Sequence, residues 1–364
     1  MLAAPRSTDK ERAIAAAEPQ SVPARSDIRA VAEMAGVALS SVSRAMNGHP
    51  DVSVAMRSRV LAAANAVGYE PDLLAKSLRR GTTQTVGFVV RDISNPLFAD
   101  IVKGAEDTLR RSGYSMLLTN SEGYPDLDAS YIRLFQQRRT DGLIVSMESE
   151  THPATLKALS MIRRPIVLLD RDVPSLRAAA VICDHRTGVR DAVSHLLQLG
   201  HRRIGLIVGS EGIRATRERV AGYLDAHDEA AVSVDQRLVR KGSYLQEFGA
   251  ANVRELLALK RPPTALVAGG VQLAVGAISA MHHMGVRLGK DLGFVTCDET
   301  ALMEVVDPPI AVVARDAVRM GELAASLLLE MLTDLKPPRV EVIPTRFVPR
   351  ASVGGKLSPE RAII

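Results

Sequence analysis

Apolar positions between Ile28 and Val67 recur at helical spacing in three separate runs. Ile28, Val31, Ala32 and Ala35 share one helical face, and Gly36 follows as a left-handed terminal residue would. The pattern resumes with Val42, Ala45 and Met46 on one side of a second helix and Leu39, Ser40, Ser43 and Arg44 on the other. Val60, Leu61, Ala64 and Val67 form a third run, opened by Ser53 as an N-cap and closed by Gly68. Three short helices with a glycine-bearing turn between the first two make a helix-turn-helix unit. From Thr85 onward the pattern changes to short continuous apolar runs alternating with amphipathic stretches, the signature of parallel sheets covered on both faces. The strands expected are Val86–Val90, Ser115–Thr119, Gly142–Ser146, Ile166–Asp170, Ala180–Cys183, Ile204–Val208, Ala265–Ala268, Gly293–Cys297 and Val340–Ile343. Helices are expected at Phe98–Arg111, Val189–Leu199, Glu218–Asp228, Glu247–Leu259, Leu273–Met284 and Ala317–Leu332. So many strands fit two lobes better than one sheet, and the late helix and strand imply that the chain recrosses between lobes near Val312 and again near Val340.

The second helix draws attention to itself through its bare face. On pattern alone, three amphipathic helices with merely solvated Ser and Arg would look the same. Hydroxyls and a guanidinium on the second helix of such a unit are nevertheless suited to phosphates and to the guanine edge, and Arg44 is the strongest single candidate for a base or backbone contact. Charge leans the same way: residues 27–80 carry seven basic and five acidic side chains, whereas 81–364 carry 35 and 33. The same net excess of two is thus carried by a far shorter segment.

The stretches VAEMAGVALSSVSRAMNG and VLAAANAVGYEPDLLAKSLRRGTTQTVGFVV resemble the LacI/GalR family of transcriptional regulators, and the resemblance extends from about Ser26 to Ser352. It implies an α/β fold of two doubly wound parallel-sheet lobes, periplasmic-binding-protein-like, preceded by a small all-α helix-turn-helix domain. It also implies that Leu39, Ser40 and Arg44 read bases in the major groove while Ser43 and Asn47 lie near the backbone. Ala38 departs from the family's usual Ser and cannot cap the second helix, a cost of about 1 kcal/mol. Pro71–Gly81 would make a helix of two turns from Asp72, below the ~12–15 residues needed for independent stability, so a partner has to hold it. In the family, two such segments fold together in the minor groove; there Leu78 would wedge between base pairs, with Lys76 and Arg79 beside the phosphates. The organisation expected is a tail to residue 25, the head from 26 to 70, a hinge helix and linker from 71 to 84, the body from 85 to 352, and a C-terminal tail.

Ligands of doubly wound lobes sit at the carboxyl ends of the strands, which places a site in the cleft between lobes. The loops there hold Asn95 and Phe98, in a segment resembling the family's NPFF-type loop, then Arg171, Arg219 where the family has a ligand-binding arginine, and Asp298 where it accepts hydrogen bonds from effector hydroxyls. A carboxylate and a guanidinium on one cleft suit a polyol or sugar acid. Gly270-Val271 stands where sugar-responsive relatives have Asn-Asp, removing an amide and a carboxylate from the pocket edge.

Other chemistry finds little support. The first strand–helix turn has no G-x-G-x-x-G, and no Walker motif or G-x-S-x-G elbow occurs, so neither a nucleotide cofactor nor an enzyme is expected. Cys183 and Cys297 read as small buried residues rather than metal ligands. No apolar run approaches the roughly 20 residues of a membrane helix, no signal-peptide core precedes Ser26, and a cytoplasmic location is expected. The expected function is a sequence-specific transcriptional regulator, a repressor, that binds a pseudo-palindromic double-stranded operator as a homodimer and is modulated by a small polar effector. Two alternatives stay open: a solute-binding protein with the same body, and a DNA-bound regulator with no effector.

Overall fold

The computed structural model describes residues 27–69 and 81–354, and the chain divides into two compact units at Gly81 and Thr82. In the first unit, α1 (Ile28–Ala35) ends at Gly36, whose φ of 63° is the left-handed conformation expected of it. Helix α2 (Leu39–Met46) starts after Ala38 with no side-chain cap, and α3 (Val54–Ala66) starts after Ser53, whose hydroxyl accepts from the amide of Met56 at 3.3 Å. Val31, Ala32, Ala35, Val42, Ala45, Val60, Ala63 and Ala64 form the core of this unit. Leu61 is 45% exposed and does not belong to it; the inward stripe of α3 runs through Val60, Ala63 and Ala64, and Leu61 lies just outside that arc. Lys76, Leu78 and Arg79 lie outside the described residues.

The second unit has two lobes, each a six-stranded sheet between helical layers. The first sheet has the order β11-β5-β4-β3-β1-β2 and is wholly parallel. Its strands are β1 (Thr85–Val90), β2 (Ser115–Asn120), β3 (Gly142–Val145), β4 (Ile166–Leu169), β5 (Ala179–Cys183) and β11 (Val340–Ile343). Helices α4 (Pro96–Arg111) and α12 (Ala317–Thr333) share a core on one face; α5 (Pro125–Gln137) and α6 (Pro153–Ser160) cover the other. A Cβ on Gly104 would fall 2.1 Å from the carbonyl of Val318, and one on Gly321 would fall 1.9 Å from that of Ile101, so α4 and α12 pack this closely only because both positions are glycine.

The second sheet has the order β12-β10-β9-β8-β6-β7, parallel except for β12 against β10. It comprises β6 (Ile204–Val208), β7 (Val239–Lys241), β8 (Ala265–Ala268), β9 (Gly293–Cys297), β10 (Ala311–Ala314) and β12 (Arg346–Val348). One face carries α9 (Gln246–Leu257) and α10 (Val271–His283), the other α7 (His185–Gln198) and α8 (Arg214–Glu229). Helix α11 (Ala301–Val305) follows β9. Strands β7, β10 and β12 were not foreseen from the apolar pattern.

The chain passes between lobes three times: at Asp184 after β5, at Arg315-Asp316 after β10, and at Pro344-Thr345 after β11. The second passage falls close to the expected Val312. The third comes after β11 rather than at its start, because Val340–Ile343 pairs with β5 of the first lobe before the chain leaves. The passages are tied to one another: the amide of Asp184 donates to the carbonyl of Ile343 at 3.0 Å, and the Thr345 hydroxyl donates to the carbonyl of Asp184 at 2.6 Å.

Candidate functional site

In the first unit the relevant surface is one side of α2. Val42 and Ala45 are buried against α1 and α3, which turns Leu39, Ser40 and Arg44 outward to solvent and leaves Ser43 at the half-buried edge. Asn47 terminates the helix, its side-chain amide donating to the carbonyl of Ser43 at 2.8 Å. Leu39, a large apolar residue, is 45% exposed on this otherwise polar face. The side chains singled out on α2 therefore do form one solvent-facing set.

In the second unit the carboxyl ends of the strands converge on the cleft between lobes. Asp170 directly follows β4 and Asp298 directly follows β9, and both hold a left-handed backbone, with φ of 53° and 75°. Such conformations are disfavoured for residues with a side chain and persist where the surroundings dictate them. Arg315, from the second passage between lobes, joins the two acids. Its Nη1 lies 2.8 Å from Asp170 Oδ2 and its Nε 2.7 Å from Asp298 Oδ1, the latter off the hydrogen-bond axis. Asp170 also accepts from the amide of Cys183 at 3.2 Å and from the Nε2–H of His185 at 2.7 Å, and Arg214 approaches it at 3.9 Å. Burial pushes the Asp170 carboxyl upward, but His185 and Arg315 outweigh it and hold the group well below the usual carboxylate range. For His185, burial prevails over the attraction of Asp170 and depresses the ring to about 4, so the imidazole is neutral and acts as a donor.

Arg219 on α8 is buried, stands 3.8 Å from Asp298, and donates to the hydroxyl of Tyr244 at 3.0 Å. Tyr244 also bonds Thr216 at 3.0 Å and carries the Arg91 guanidinium of the opposite lobe 4.9 Å from its ring centroid. Arg91 is in turn paired with Glu148. Among the described residues, Arg171 donates to main-chain carbonyls, those of Met147 at 2.5 Å and Asp170 at 2.9 Å. Asn95 caps α4 by accepting from the amide of Leu97 at 3.1 Å, and Phe98 packs into the first lobe's core while facing the cleft.

The two lobes touch directly at the cleft's rim. Gln272 donates to Asp92 and to Ser94, each at 3.2 Å, and Glu150 accepts from the amide of Arg214 at 2.8 Å while pairing with Arg217 at 2.9 Å. The cavity left between Asn95, Phe98, Arg171, Arg219, Tyr244 and Asp298 is about 50 Å³. Sites for drug-sized ligands run to roughly 300–1,000 Å³, so the lobes must part for anything larger than a few waters to enter. Gly270-Val271 contributes no polar side chain to it: Val271 is buried in the second lobe's core, and a Cβ on Gly270 would meet the Tyr244 ring at 3.3 Å. Asp170, Cys183 and His185 bring possible ligating atoms within 4.8 Å of one another, but Arg315 lies 3.2 Å from the Cys183 sulfur as well as against Asp170, so a guanidinium holds the place a metal cation would take.

Residues 27–72 match the model of bacterial regulatory proteins of the lacI family, and residues 193–353 match that of the periplasmic binding protein-like domain. Over 302 residues the chain is 30% identical to the HTH-type transcriptional repressor CytR of Escherichia coli (strain K12), covering 83% of this chain and 88% of CytR. Over 293 residues it is 31% identical to the HTH-type transcriptional regulator DegA of Bacillus subtilis (strain 168), covering 80% of this chain and 87% of DegA. The chain belongs to the lacI family. Among solved structures, this LacI-family protein is similar to the transcriptional regulator CelR in complex with cellobiose, at 28% identity and a TM-score of 0.68, covering 90% of this chain and all (100%) of the CelR chain. It shares its fold with the lac repressor dimer bound to operator, at 23% identity and a TM-score of 0.80, covering 91% of this chain and 100% of that one. The LacI-family chain is a DNA-binding transcriptional regulator.

Of the cleft residues picked from the sequence, Asn95, Phe98, Arg171, Arg219 and Asp298 all line this one cavity. Those missed are Asp170, His185, Tyr244, Gln272 and Arg315. Asp170 was within reach, since it ends an expected strand just as Asp298 follows one. Arg315 follows a strand that the apolar pattern did not reveal, and Tyr244 sits in a loop with no periodicity to mark it.

Proposed function

We propose that this regulator is a cytoplasmic repressor that binds a pseudo-palindromic operator as a homodimer and releases or tightens its hold when a small polar effector occupies the cleft. Leu39, Ser40 and Arg44 read base edges in the major groove, and Ser43 and Asn47 sit at the backbone. Asn95, Phe98, Arg171, Arg219 and Asp298 face the effector. Catalysis plays no part in this reading, which assigns no nucleophile or general base to the cleft. The observation that carries it is the polar, solvent-facing side of α2, set opposite the buried Val42 and Ala45 in a LacI-family head. Selection of binding sites from a random duplex pool tests it: wild type should enrich a pseudo-palindrome and lose affinity steeply with salt. Arg44→Ala should lose about 1–3 kcal/mol of discrimination against random DNA, the worth of a good bidentate base contact. An unchanged operator preference in that variant would mean that α2 is not the reader.

A second reading, a regulator that answers to no small molecule, is favoured by one feature: Gly270-Val271 and the ring of Tyr244 leave the pocket edge without the polar pair that sugar-responsive relatives present.

A further inference from the structure

The residues that line the cavity carry four guanidiniums, those of Arg91, Arg171, Arg219 and Arg315, and two carboxylates, those of Asp170 and Asp298. Two buried carboxylates, Asp170 and Asp298, are approached by three guanidiniums, those of Arg214, Arg219 and Arg315. A fourth, Arg171, is 5% exposed, donates to main-chain carbonyls and has the buried carboxyl of Asp128 as its acidic neighbour, whereas Arg91 is paired with Glu148. Arg219 is 2% exposed and its Nε has no hydrogen-bond partner among the described residues; the neighbours that hold its guanidinium are the Tyr244 hydroxyl, Asp298 and the weakly accepting thiol of Cys297. Both Arg171 and Arg219 line the cavity.

This arrangement selects among ligands by charge. A neutral polyol binds best where carboxylates are free to accept from its hydroxyls, and Arg315 already occupies both acids from within the protein. An excess of buried guanidinium in a low-dielectric site instead favours a ligand that brings its own negative charge, since an uncompensated buried charge is costly and a paired one is not. Guanidinium forks also match the planar carboxylate and the phosphate group better than they match hydroxyls.

We propose that the cleft takes a hydroxylated anion, a polyol bearing a carboxylate or phosphate group, in preference to its uncharged counterpart, and that Arg315 sets this preference by engaging Asp170 and Asp298. The inference rests on the effector reading above and names the effector's chemical class. Calorimetric titration of the full-length protein with D-glucose, D-gluconate, D-glucose 6-phosphate and inorganic phosphate separates the outcomes. Either sugar anion should bind about ten-fold or more tightly than D-glucose, the difference between hydrogen bonds to charged and to neutral groups, and should weaken with added salt. D-Glucose binding as tightly as both anions would overturn the proposal and leave the effector reading standing; no binding of any of the four would count against the effector reading and remove the basis of this one. Inorganic phosphate binding as tightly as both sugar anions would show a bare anion site and overturn the polyol part. In Arg315→Gln, whose freed carboxylates now face the ligand, the anion preference should fall to about one-fold, whereas Arg315→Lys, which keeps the charge, should retain it. Full anion preference in a folded Arg315→Gln protein would remove Arg315 from the role, and the wild-type comparison stands if that variant fails to fold.

Discussion

Replacing Arg315 with methionine would remove the one cation that bridges the two cleft carboxylates while keeping much of the side chain's bulk. The Arg315 side chain is 6% exposed, and those of Asp170 and Asp298 are 9% and 5% exposed, so neither acid can turn to water for compensation. Breaking a buried pair by removing one partner costs about 3–5 kcal/mol. Asp170 would keep the His185 Nε2–H at 2.7 Å and the Cys183 amide at 3.2 Å, and Asp298 would keep Arg219 at 3.8 Å, which argues for the lower end, about 3 kcal/mol. For a domain of this size that corresponds to a drop of about 6–12 °C in melting temperature. The pH dependence carries a second, independent check. Asp170 is held well below the ordinary carboxylate range because His185 and Arg315 together outweigh the effect of burial. A depressed folded pKa contributes stability that is fully present above the unfolded value of about 3.9 and is lost as pH falls through the lower folded value. Without Arg315 the folded pKa moves up, so the variant should begin to lose this contribution at a higher pH, and its deficit against wild type should be largest near neutrality and shrink in acid. Circular dichroism melts of both proteins between pH 3 and pH 7 measure this. A deficit under about 1 kcal/mol at neutral pH, the scale of an exposed pair, or a deficit that grows on acidification, would refute the reasoning.

Two further outcomes follow from the same structure. Ala38→Ser should stabilise the start of α2 by about 1 kcal/mol, because Ala38 already has the extended backbone of an N-cap and lacks only the oxygen; slower hydrogen exchange at the first amides of α2 would register it, and unchanged exchange would contradict it. Cys183 should resist alkylation in the native protein at pH 8 and react only on unfolding, since burial, only partly offset by Arg315, pushes its thiol up to about 12; rapid native labelling would show the site to be open.

The interior strands were legible because strands covered on both faces must be apolar throughout, and Val86–Val90, Ile204–Val208 and Gly293–Cys297 are continuous apolar or small-residue runs. The unforeseen strands fail that signature for separate reasons. Val239–Lys241 and Arg346–Val348 are three-residue strands at the two edges of the second sheet, half polar and only partly buried. Ala311–Ala314 is apolar and fully buried but only four residues long, and it falls where the pattern places a passage between lobes. That one omission hid Arg315, whose importance comes from following a strand end. The face of α2 could be read directly, since helical periodicity alone separates Val42 and Ala45 from Leu39, Ser40 and Arg44. The charge surplus of the cleft could not, because it depends on which guanidiniums meet which carboxylates across 145 positions of sequence between Asp170 and Arg315.

The position of Arg315 also bears on how occupancy of the cleft could be felt elsewhere. Each of the three passages between lobes is bonded to the charged cluster or to another passage: His185 of the first holds Asp170, Arg315 of the second holds Asp170 and Asp298, and Thr345 of the third holds the carbonyl of Asp184. A ligand that competes for Asp298 or Arg219 therefore competes with a residue of the hinge itself, rather than with a side chain on a distant loop. It shifts the balance between closed and open lobes only by its differential affinity for the two, for which about 1–3 kcal/mol is the usual scale of coupling. The rim contacts of Gln272 with Asp92 and Ser94, and of Glu150 with Arg214 and Arg217, oppose opening; at about 0.5–1.5 kcal/mol each, they amount together to about 2–6 kcal/mol. The two ranges overlap, which is the condition under which a small ligand can decide the conformation of a much larger protein.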